Sequence, residues 1–168
     1  PEVTNPNVPK GQRPNMYDTS IKVPTAVRWP GVIEPGTVID STMTNLDWFP
    51  TICAMAGIAL PEETTIRGRD LTPLLRREAA DDWANSYYGE YSTLHQSKTQ
   101  MRCWRTSQYK LIRDFKSPER DEFYDLVNDP GETTNLAETE DESLQNVMKE
   151  YDTQIRAKMR EVGDEVDR

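Results

Sequence analysis

The chain carries one imidazole, His95, and two thiols, Cys53 and Cys103, so few of its groups could act as acid, base or nucleophile near neutral pH. Imidazole titrates there without help, and His95 could protonate a leaving group or bind a substrate. Its setting, Ser92-Thr93-Leu94-His95-Gln96-Ser97-Lys98, is a polar loop between predicted strands, where an exposed bystander is the plainer reading. Cys53 falls in an apolar helical stretch and Cys103 in a strand, neither in a Cys-x-x-Cys spacing, so both read as packing residues. Arg102, Arg105, Lys98 and Lys110 could form an anion-binding strip around Trp104. Cations on a strand more often pair with carboxylates on the strand beside it, and Asp114, Glu119, Asp121 and Glu122 are available, which favours a structural role. The acidic run from Glu138 to Glu142 looks calcium-like only in composition and reads as a solvated face. Asp47 lies at a predicted helix start, where a carboxylate favours the dipole before it serves as a base.

These groups are positioned by a short series of elements. MRCWRT (101–106) and QYKLIRDF (108–115) are aromatic and β-branched runs separated by a polar break at Ser107, the pattern of a hairpin; SYYGEYS (86–92) precedes it and EFYDL (122–126) follows. Asn128-Asp129-Pro130-Gly131 then reverses the chain, with Pro fixing φ at one central turn position and Gly accepting positive φ at the next. The four strands are expected to form an antiparallel sheet. Leu144, Val147, Met148, Tyr151, Ile155, Met159 and Val162 recur at spacings of three and four, predicting a helix of about five turns that covers one face of the sheet. Upstream, the proline-rich residues 1–15 read as an extended loop, 22–29 (KVPTAVRW) as a strand, and Pro30–Gly36 as a turn. Leu46, Phe49, Ile52, Cys53 and Ala56 predict a helix, with Asn45 as N-cap candidate, Pro50 near the first turn and Gly57 past the end. Residues 71–77 are expected to add a short helix.

R-T-x-x-Y-K-L-I from Arg105 and E-x-Y-D-L-x-x-D-P-x-E-x-x-N-L from Glu122 together resemble the C-terminal subdomain of sulfatases of the alkaline-phosphatase superfamily. Asn15-Met16-Tyr17-Asp18-Thr19-Ser20-Ile21-Lys22-Val23-Pro24, Trp29-Pro30-Gly31, Asp47-Trp48-Phe49-Pro50-Thr51 and Gly68-Arg69-Asp70-Leu71 follow the order of that family, so the resemblance runs from about Lys10 to Leu136. It implies an α/β fold: the C-terminal part of an alkaline-phosphatase-like domain over residues 1–80, and a small antiparallel sheet of about four strands with a C-terminal helix over 81–168.

By the same resemblance, the parent protein hydrolyses sulfate esters with a formylglycine nucleophile and calcium. The family's Cys/Ser-x-Pro/Ala-x-Arg motif is not found here, since Cys53-Ala54-Met55-Ala56-Gly57 and Cys103-Trp104-Arg105-Thr106-Ser107 do not fit it. No acidic pair precedes Lys10. No catalytic residue and no metal ligand is therefore assigned within this chain, which is expected to be inactive alone. Lys10 matches a family lysine that donates to sulfate oxygens, and His95 a loop at the pocket mouth; these two are the substrate-binding candidates.

A net charge of -9 over 168 residues opposes binding to nucleic acid or anionic membrane. No apolar run approaches the roughly 20 residues of a membrane span. The chain opens on Pro1 and is expected to begin part-way through a longer protein, periplasmic or extracellular by resemblance, that acts on a sulfated small molecule or glycan. A phosphodiesterase or phosphonate monoester hydrolase of the same superfamily, or a non-catalytic binding or assembly module, are the alternatives.

Overall fold

The computed structural model describes residues 14–78, 83–94 and 98–166. They fall into two compact units, one joining the described residues of Pro1–Val23 to those of Ser86–Arg168, the other Pro24–Asn85.

The first unit is a four-stranded antiparallel sheet in sequence order: β1 (Tyr87–Leu94), β2 (Lys98–Arg105), β3 (Tyr109–Asp114) and β4 (Glu122–Asp125). The hairpin turns at Ser107, where the Thr106 N–H donates to the Tyr109 carbonyl (2.9 Å). Alternation sorts the side chains onto two faces. Tyr88, Trp104, Leu111 and Phe123 stand in register as one row, and it packs beneath α4 (Glu142–Val162), which buries Tyr151, Ile155 and Met159. The predicted stripe is the face that docks. Asp141 caps the helix by accepting from the Ser143 N–H (2.8 Å), and Gly163 ends it in the left-handed region.

The other face, carrying Met101, Cys103, Ile112 and Tyr124, is covered by chain from the far end of the sequence. Met16 and Tyr17 pack there, just ahead of the single turn α1 (Asp18–Ile21). The sheet is therefore apolar on both sides, and its second cover comes from residues the periodicity assigned to no packed element.

The second unit holds α2 (Trp48–Ala56), preceded by a 3-10 turn at Asn45–Asp47, and the short α3 (Thr72–Leu75). Thr44, not Asn45, is the cap: it forms a capping box in which the Asp47 carboxylate accepts the Thr44 N–H at 2.7 Å. Residues 22–29 form no strand. Pro24 donates nothing to a ladder and no partner strand pairs with them among the described residues, so the run has no regular structure before the turn at Trp29–Ile33. The apolar residues of α2 and the turn before it also behave differently from a packed stripe: Leu46 in the turn and Phe49 and Ile52 on α2 are exposed, whereas Pro50 and Thr51 are buried.

Candidate functional site

The densest polar chemistry lies between the sheet and the residues that cross it. Lys110 projects from β3 and is completely buried; its ammonium lies 2.6 Å from Asp18 Oδ1, 2.5 Å from Glu132 Oε1 and 3.0 Å from the Met16 carbonyl. Arg105, its cross-strand neighbour on β2, donates in a fork to both oxygens of Asp18 (2.9 and 2.7 Å). Two like charges side by side on a sheet would repel, and Asp18 sits where it neutralises both. Glu132 spends its second oxygen on the Asp18 N–H at 2.6 Å. The four charges sum to zero.

Their electrostatics separate the two carboxyls. Burial pushes Asp18 up, but the Arg105 guanidinium and the Lys110 and Lys22 ammoniums outweigh it and hold the group well below the usual carboxylate range. For Glu132 burial wins, raising the carboxyl above its ordinary 4.5 against the pull of Lys110. With each acid oxygen engaged, the cluster clamps residues 15–21 onto the sheet; it is not poised to move a proton.

Local sequence explains how Glu132 reaches this position. The turn runs from Asp129 to Glu132, with Pro130 and Gly131 central and the Glu132 N–H donating to the Asp129 carbonyl (3.1 Å). The positive φ falls on Glu132 itself (φ 55) and not on Gly131, a correction to the sequence expectation. A left-handed glutamate is uncommon, and here three polar contacts hold it. The rest of the D-P-x-E-x-x-N-L run is equally architectural. The Asp129 carboxylate accepts from the Thr133 and Thr134 N–H groups, Asn135 Oδ1 accepts the outward Phe123 N–H of β4 (2.9 Å), and Leu136 packs in the helix-side core.

Two further motifs meet in the second unit. Asp47 Oδ1 accepts the Arg69 N–H (2.7 Å), and Thr51 Oγ1 accepts the Leu71 N–H (2.8 Å) while donating to the Asp47 carbonyl (2.6 Å). Gly68 passes so close that a Cβ there would lie 1.9 Å from the Leu46 carbonyl oxygen. The Arg69 guanidinium stacks 3.7 Å over the Trp83 ring. Asp47 is thus a buried fold linchpin, consistent with reading it as a structural acid before a base.

Lys10 and His95, the substrate-binding candidates, lie outside the described residues. Arg102, Arg105 and Lys110 are internal ion-pair partners, as the structural reading expected, but the carboxylates differ from those named. Arg102 grips Asp164, just past α4, with Tyr88 OH donating to the same carboxylate (2.7 Å), and Arg105 and Lys110 take Asp18 and Glu132. Of the expected acids, Asp114 pairs with Arg120 and Asp121 with Arg113. Cys103 is fully buried, and burial pushes its thiol up to about 12, so it packs and does not attack. No group of three or more His, Cys, Asp or Glu suited to a metal occurs among the described residues.

The four-stranded antiparallel sheet with its terminal helix is that of the sulfatase folds, and every clamp residue lies inside one of the motifs that carry the resemblance. The family model described as N-sulphoglucosamine sulphohydrolase, C-terminal, matches residues 12–161, and the chain belongs to that family. An ulvan-active sulfatase of Formosa agariphila is 31% identical over 163 residues, covering 92% of this chain and 30% of its own length. A solved structure in complex with its substrate D-glucosamine-2-N,6-O-disulfate superposes with a TM-score of 0.65 at 25% identity, over 82% of this chain and 28% of that one. A phosphonate monoester hydrolase from Silicibacter pomeroyi shares the fold, with a TM-score of 0.63 at 22% identity over 79% of this chain and 28% of that one. The chain spans 11% to 31% of the length of the curated relatives it matches. No described helix is long and apolar enough to cross a membrane.

Proposed function

We propose that the chain is the C-terminal part of a sulfate-ester hydrolase whose substrate is a sulfated glycan or small molecule. It supplies scaffold and the Lys10 ammonium, which would donate to sulfate oxygens where negative charge sits, with His95 at the mouth of the pocket. The observation that carries this reading is the family match over residues 12–161, whose motif residues Asp18, Arg105, Lys110 and Glu132 converge in one ion-paired clamp.

Formylglycine and calcium belong to the parent's chemistry. The described residues do not fit either group: the Cys103 thiol is sealed in the core, and the carboxylates of half-buried Asp18 and of buried Glu132, Asp47 and Asp114 are already committed to cations or N–H donors. On this proposal attack and charge withdrawal belong to sequence outside this chain, and the chain alone is expected to be inactive.

The test is to express the complete open reading frame that contains this chain and measure sulfate release from an aryl sulfate and a sulfated glycan. Sulfate release is expected, with kcat falling by about 10²–10³ in Lys10→Ala, the cost of losing one donor at a developing charge. Preferential hydrolysis of a phosphonate monoester would move the assignment to the second reading, which the shared fold of the phosphonate monoester hydrolases supports. Unchanged kcat in Lys10→Ala would remove that lysine from the site.

A further inference from the structure

The clamp beside the sheet grips main chain as well as side chains. Lys110 donates to the Met16 carbonyl (3.0 Å) and Glu132 accepts the Asp18 N–H (2.6 Å), so two buried ions of opposite sign hold backbone groups of one strap. Just upstream, Asn15 Oδ1 accepts the Tyr17 N–H (3.4 Å). Sliding the strap by one residue would break both ionic holds, whereas the apolar cover given by Met16 and Tyr17 is not directional. A buried ionic group is a weak means of stabilisation, since apolar residues of similar volume commonly do as well; its best-attested use is to fix register. The left-handed backbone of Glu132 (φ 55) agrees, because such a conformation persists where its surroundings over-determine it, and here it aims the carboxylate at the strap.

Residues 14–17 are all buried, and Lys10 precedes Pro14 by four residues. A backbone of that length spans at most about 14 Å, so whatever fixes Pro14 bounds where Lys10 can act. Release of the strap as far as Val23 would lengthen that tether to thirteen residues and dilute the ammonium at its target about sixfold, before any loss of orientation. We infer that Glu132 and Lys110 are positioning residues for sulfate-ester hydrolysis: they hold the Met16–Asp18 main chain in one register on the sheet and thereby set the place of Lys10. The inference rests on the reading above of Lys10 as the donor to sulfate. Neither residue touches substrate in this account; each acts through the strap.

The test uses the protein encoded by the complete open reading frame and two readouts. The first is steady-state hydrolysis of an aryl sulfate. Glu132→Ala should lower kcat about tenfold or more and change KM by less than about threefold, whereas Glu132→Gln, whose amide oxygen can still accept the Asp18 N–H, should stay within about threefold of the parent. In a Lys10→Ala background Glu132→Ala should cost no more than about another twofold, because its route of action is already gone. Should Glu132→Ala fail to fold, Lys110→Met with Glu132→Gln keeps the charge balanced, removes the hold on the Met16 carbonyl and should still lower kcat about tenfold. The second readout needs no turnover: spin labels at Lys10→Cys and at Lys149→Cys, on the exposed face of α4, with Cys53 and any other reactive thiol replaced by Ala. The distance distribution between them should broaden in Glu132→Ala. A folded Glu132→Ala variant with the parent's kcat overturns the inference, as does a kcat loss that multiplies in full with that of Lys10→Ala, or an unchanged kcat in Lys10→Ala itself. A broadened distribution in a protein that releases no sulfate would leave the hold on residue 10 standing and remove the functional reading; sulfate release with no broadening would do the reverse.

Discussion

Replacing Lys110 with methionine tests the clamp directly. The ammonium is wholly buried and serves two acids, at 2.6 Å on Asp18 and 2.5 Å on Glu132. Removing one member of a buried ionic group leaves its partners uncompensated, at a cost of about 3–5 kcal/mol, a large share of the roughly 5–15 kcal/mol that holds a domain together. Asp18 keeps Arg105 and Lys22, so the penalty falls chiefly on Glu132. A double change, Lys110→Met with Glu132→Gln, should therefore recover most of the loss, and the cycle should show strong coupling. The pH dependence has a definite sign. Asp18, held low, contributes stability that is present above its ordinary 3.8 and is lost as the pH falls toward its folded value. Glu132, held high, works oppositely, its contribution shrinking as pH rises from 4.5 through its folded value. Without Lys110 only the Asp18 N–H still opposes that rise, so the deficit of the single variant should narrow as the pH is lowered from about 7 to about 5. Urea unfolding followed by tryptophan fluorescence at both pH values, with hydrogen exchange of residues 14–23 as local readout, measures all of this. A loss below about 1 kcal/mol, or a deficit that does not change with pH, would refute the reasoning.

Gly68→Ala should destabilise the second unit by about 2 kcal/mol or more, because its Cβ would overlap the Leu46 carbonyl; the thermal midpoint measures the loss. Ile155→Ala opens a cavity beneath α4 at a fully buried position and should cost about 2–5 kcal/mol by urea unfolding. An aromatic disulfide reagent at pH 8 should titrate Cys53 alone in the native chain and both thiols in denaturant, since Cys103 is sealed and its thiol is raised to about 12.

The strands and the terminal helix were legible because each carries its own period: Leu111, Phe123 and the α4 stripe announce a buried face without reference to distant sequence. What was not legible is nonlocal. Nothing near Arg102 or Lys110 marks Asp164 or Asp18 as a partner, because those pairs close over 62 and 92 residues respectively, counted as 164 − 102 and 110 − 18. The cover that Met16 and Tyr17 give the second sheet face is hidden for the same reason. Residues 22–29 have strand composition and no strand to pair with, so propensity was overruled by topology. Spacing also located α2 without saying which side is covered, since its apolar face meets solvent in this chain. The motifs that identified the family turned out to mark the clamp and the Asp47 junction, which is why they were readable as a family and silent about chemistry.

The division between scaffold and bond breaking is tested most directly by incubating the purified, folded 168-residue chain with an aryl sulfate and added calcium. A rate equal to that of the heat-denatured chain is the predicted result. Turnover above that control, lost on unfolding, would place the nucleophile and its supporting charges within these residues and contradict that division.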